Sequence, residues 1–154
     1  MKRMARIAAV LAGLWAGVLL CVGAMVAPVA FAALASQDAG RLMAQLLKQE
    51  ANLSLGLALA LFFVERRRSR DRAEAGTGPV LSANIVLLLG TLFCTVAGYF
   101  AVLPMMAAAR AGQGPWSFAA LHAVSGGLFV LKIALVLALA WRLVPAVTAA
   151  ATTS

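Results

Sequence analysis

The stretch WSFAALHAVSGGLFVLKIALVLALAWR, residues 116–142, decides the fold. It is apolar over a length that crosses a bilayer, because about 20 residues rising ~1.5 Å each match a hydrocarbon core of ~30 Å. It also holds the chain's only histidine, His122, and a lysine, Lys132, well inside the apolar run. His122, Ser125 and Lys132 follow one another at intervals of three and seven, so they share one side of a helix. A polar stripe where leucine and alanine would suffice needs a physical reason.

Working outward, three more apolar tracts cover about residues 7–34, 42–64 and 83–103, with the opening one at 118–141. Only 12% of the 154 residues are charged, against about 25% in a soluble domain whose surface faces water. The mean hydropathy of +0.97 agrees. The expected architecture is a single integral membrane domain over 1–154, an all-α four-helix transmembrane bundle with spans one and three antiparallel to spans two and four. The tracts leave no length for a separate soluble domain.

A net charge of +8 would suggest nucleic acid in a soluble protein, but the placement argues for lipid. Lys2, Arg3 and Arg6, then Arg66, Arg67, Arg68, Arg70 and Arg72, then Arg142 account for nine of the thirteen basic residues. Alternation of rich and poor connections predicts both termini in the cytoplasm, with 65–80 a solvated cytoplasmic loop. The five loop arginines are expected at anionic headgroups, and no nucleic-acid partner is expected. The basic start followed by an apolar run imitates a signal peptide. Its apolar run exceeds the ~7–15 residues of a signal core, so an uncleaved first helix is expected.

Lipid gives helices no hydrophobic reason to associate, so close approach through small residues is the usual means. Gly13, Gly17, Cys21, Ala24 and Pro28 form one such face, and Gly90, Cys94 and Gly98 a second. The expectation is that these packing faces point at neighbours and could meet each other, bringing Cys21 and Cys94 to similar depth. Pro28 is expected to kink span one, and Pro104 to close span three. A homo-oligomer or a membrane partner is a further expected use of such faces.

The candidate polar site comprises His122, Ser125, Glu50, Arg41 and Tyr99, at the outer mouth of the bundle. His122 with Ser125 can serve as a proton acceptor or as a metal or haem ligand, or can fix helices by a hydrogen bond. Cys21 and Cys94 offer soft-metal ligands, and equally ordinary packing. No cofactor is predicted. Lys132 near mid-membrane should face the interior, paired with Glu50 or snorkelling to a polar cavity. Counting from Arg66 and Arg142 sets the two apart by six residues of depth, or ~9 Å, near the limit of two extended side chains. No phosphate loop, no HExxH and no serine–histidine–acid set is present, which argues against an enzyme.

Leu14-Trp15-Ala16-Gly17, Ala27-Pro28 with Phe31, Gly40-Arg41, Tyr99 with Pro104, and Leu121-His122-Ala123-Val124-Ser125 together resemble the DUF4149 family. This is the bacterial branch of the transmembrane protein 205-like proteins. The likeness covers nearly the whole chain in order. It departs at Ala123, where the family pattern usually has glycine. It implies four transmembrane helices in the bacterial inner membrane and names no activity. Three functions stay in view: a non-enzymatic protein binding or transporting a small solute or metal ion at the outer mouth, an accessory subunit of a membrane complex, and a redox or haem-associated module.

Overall fold

In the computed structural model, which describes residues 2–151, every apolar tract is helical. Helix α1 (Lys2–Leu20), a π-helical turn (Cys21–Val26) and α2 (Ala27–Ala33) form the first rod. Helix α3 (Ser36–Glu74) is the second. The third consists of α4 (Ala83–Thr95), a π-helical turn (Val96–Val102) and α5 (Leu103–Arg110), and α6 (Phe118–Ala151) is the fourth. Among the described residues there is no strand, and each rod is long and apolar enough to cross a membrane. The chain is a multi-pass membrane protein.

The rods form a ring in which α1 packs on α6, α6 on α4, α4 on α3, and α3 back on α1. The buried edge of α1 is Ala5, Ala8, Ala12, Trp15, Ala16 and Leu19, a stripe at steps of three and four. It meets Ala58 and Leu61 of α3 and Val136, Leu139 and Leu143 of α6 in one core. Alanines let the backbones approach closely. The expected meeting of the small faces of spans one and three does not occur: α1 and α4 stand at opposite corners of the ring. Gly13 and Gly17 have open space beside them, and Gly17, Cys21 and Pro28 are exposed. Their face therefore points away from the bundle. Gly90 and Gly98 do pack, against Leu135 and Leu128 of α6. In the first rod the glycine that meets a neighbour is Gly23, whose missing Cβ would lie 3.0 Å from Phe129.

Two further expectations are corrected. Pro104 does not close span three, which runs on to Arg110. Each proline sits in the first turn after a π-helical turn, and the residue before it donates five residues back, Ala27 to Val22 and Leu103 to Gly98. The wider turn accommodates the ring and the missing amide without ending the rod. Nor is 65–80 a loop. Helix α3 carries the arginine run to Glu74, and the turn that follows holds Gly76, whose φ of +67° suits glycine.

Candidate functional site

Glu50 on α3 faces inward together with Ser54, Ala58, Leu61 and Glu65, residues spaced at three and four along one helical face. Lys132 on α6 faces inward with Val136, Leu139 and Leu143 for the same reason. The two faces look at each other across the diagonal of the ring. Lys132 Nζ lies 2.8 Å from Glu50 Oε1 and 2.7 Å from Oε2, a direct ion pair. Ser54 Oγ donates to the same Oε1, and Trp15 Nε1 of α1 donates to Ser54 Oγ at 2.9 Å. Glu50 and Lys132 are only 5% and 4% exposed, and among the described residues no buried side-chain polar atom lacks a partner. The Phe129 ring lies 5.1 Å from Lys132 Nζ, close enough for a cation–π contact.

The depth mismatch read from the sequence is resolved by the opposite end of the bundle. Asn84 donates to Glu65 Oε2 at 3.1 Å and accepts from Arg142 Nε at 3.0 Å. Glu65 and Arg142 are thus tied through one asparagine at the same end of the bundle. Counted from there, Glu50 and Lys132 differ by five residues, or ~7 Å of rise, which the four-carbon lysine stem spans. Glu65 is fully buried and also accepts from Arg68, while Arg72 reaches Ser69 Oγ at 3.2 Å.

The five residues of the sequence-derived polar site do not converge. Glu50 belongs to the interior, and Lys132 stands ten residues, or ~15 Å, along α6 from His122. His122 is exposed and stacks on Phe118 with ring centroids 5.8 Å apart, while Ser125 is half-buried. Tyr99 is half-buried with its ring edge-on to Phe100, and Arg41 is exposed, 3.7 Å from Asp38. Cys94 is buried in the bundle, whereas Cys21 lines an open apolar depression of about 460 Å³ with Met25 and Leu42. With Cys21 on the exposed face of the first rod and Cys94 inside the bundle, the two thiols do not form a pair of ligands. Among the described residues no three His, Cys, Asp or Glu side chains cluster.

Sequence reasoning missed Trp15 and Glu65. Trp15 lies off the glycine face, on the side that the alanine stripe buries. Glu65 stands first in a charged run, yet it continues the helical spacing of Glu50, Ser54, Ala58 and Leu61, and that spacing was the available signal.

Residues 10–115 match the model of a family described as a domain of unknown function, DUF4149. No curated protein and no solved structure matches the chain.

Proposed function

We propose that this chain, which belongs to the DUF4149 family, is a non-enzymatic protein that binds or carries a small solute across a bacterial inner membrane. Its working element in this reading is the Glu50–Lys132 pair. The observation that carries it is that a buried ion pair stands inside a bundle whose core is mostly alanine and leucine. Packing alone gives no reason for such a pair, since well-packed apolar replacements of buried pairs are often neutral or stabilising. Ionisable residues inside a bundle most often mark a path for solute, ion or proton. The arginine-rich end faces the cytoplasm in this reading, and the His122 end faces outward. Arg66, Arg67 and Arg70, exposed on the extension of α3, then rest among anionic headgroups.

The test compares wild type with the isosteric double variant Glu50→Leu/Lys132→Met in detergent, each scanned for thermal stabilisation by a panel of small ions and metabolites. A ligand bound only to the folded state raises its apparent stability, by about 2.7 kcal/mol at 100 times the dissociation constant. The expected result is that at least one solute stabilises wild type and none stabilises the double variant, although that variant stays folded. Equal responses from the two proteins would contradict the proposal. A second reading, an accessory subunit, is favoured by the exposed face of Gly13, Gly17, Cys21 and Pro28. It would be preferred if no solute stabilised either protein.

A further inference from the structure

Among the described residues Arg110 is a cation with no carboxylate in ion-pair range. The chain has five acidic residues. Asp38 is beside Arg41, Glu50 holds Lys132, and Glu65 holds Arg68. Asp71 and Glu74 lie at the opposite end of α3. Among the described residues Arg110 makes no ion pair, although its guanidinium is well placed. It extends from the last turn of α5, where the helix dipole favours a cation. Its carbon Cζ lies 4.5 Å from the centroid of the Phe118 ring on α6. On α3, Gly40 lies beside it: a Cβ there would stand 3.7 Å from Arg110 Nη2, an ordinary contact. Three helices therefore hold one exposed guanidinium at the His122 end.

An aromatic ring against the guanidinium plane leaves the N–H edge free, and that edge matches two oxygens of a phosphate or carboxylate. We propose that Arg110, seated on Phe118 and beside Gly40, is the recognition point for an anionic group at the outward end of the bundle. His122 stacks on the same Phe118 ring, one turn along α6, and is placed to sense what binds there. The assignment gives the proposed solute a charge. It rests on the solute-binding reading for its purpose but not for its geometry.

The group recognised is either a free anion or a lipid headgroup of net negative charge, and one experiment separates them. The chain, purified without a polyhistidine tag in nanodiscs, is labelled with ¹⁵N-histidine, so that His122 alone gives a signal. Inorganic phosphate is titrated at constant ionic strength in discs of phosphatidylcholine, and the signal is also compared in discs containing phosphatidylglycerol. A saturable shift with phosphate identifies a free anion. A shift with phosphatidylglycerol alone identifies a headgroup. In either case Arg110→Gln should weaken the effect at least about tenfold, as expected for loss of charge-assisted bonds, and Lys48→Gln should leave it within about twofold. Arg110 is exposed, so its variant should remain folded, and Arg110→Lys should retain part of the effect. The proposal is overturned if neither arm shifts the signal, or if Arg110→Gln responds like wild type. The titration reads binding alone: intact binding with a solute-insensitive buried pair would count against the solute-binding reading and leave this site standing.

Discussion

Glu50 shows how one residue can be fixed by two donors and a third group behind one of them. Lys132 engages both of its oxygens, and Ser54 adds a donor to Oε1. A serine hydroxyl has one proton, which Ser54 gives to Glu50, and one of its two lone pairs accepts the Trp15 N–H. The donations therefore run toward the carboxylate from both sides. Trp15→Phe keeps most of the ring and removes this donor. It should destabilise the fold by about 1 kcal/mol, the net worth of an ordinary hydrogen bond, measured by thermal unfolding in detergent. A loss several times larger would show that the indole acts mainly by its volume. Glu50 and Lys132 were legible in the sequence because charged groups in an apolar tract stand out and helical spacing assigns their face. Trp15 was not, because an indole in such a tract reads as apolar bulk. Arg110 was not singled out either: its setting depends on Gly40 and Phe118, which are remote in sequence and meet only after folding.

At the scale of elements, small residues proved ambiguous. A four-residue repeat of glycines says that a helix can be approached closely but not by what. Gly90 accepts α6, with Leu135 Cδ1 3.0 Å from where a Cβ would stand, while Gly17 has nothing beside it. Gly90→Leu should therefore cost about 1–3 kcal/mol through overpacking, whereas Gly17→Leu should leave unfolding unchanged. If Gly17→Leu also abolishes a co-purifying partner or second copy, seen on native gels, the accessory-subunit reading gains its physical basis. The prolines carry a related lesson. Both were visible as interruptions, but a π-helical turn before each lets the rod continue. The sequence shows the missing amide and not the neighbouring packing that allows the wider turn. The arginine run was read as loop from its charge, yet no residue in it breaks a helix before Gly76, and buried Glu65 and Ser69 keep it docked.

For the whole molecule, hydropathy alone revealed four helical spans, because lipid requires that backbone groups be satisfied within each span. Their order around the ring was not legible, since it depends on which faces interlock. That order puts α3 and α6 on one diagonal, and the Glu50–Lys132 pair is the polar link across it. The arginine-rich end is clasped separately, with Glu65, Asn84 and Arg142 joining α3, α4 and α6. The central claim is that Glu50 and Lys132 act as one unit inside the bundle. Its most direct test is a double-mutant cycle on thermal unfolding, using Glu50→Leu, Lys132→Met and the combination. Each single variant strands a buried charge and should lose roughly 3–5 kcal/mol, while the double variant should return to within about 1 kcal/mol of wild type. Losses that simply add in the double variant would contradict it.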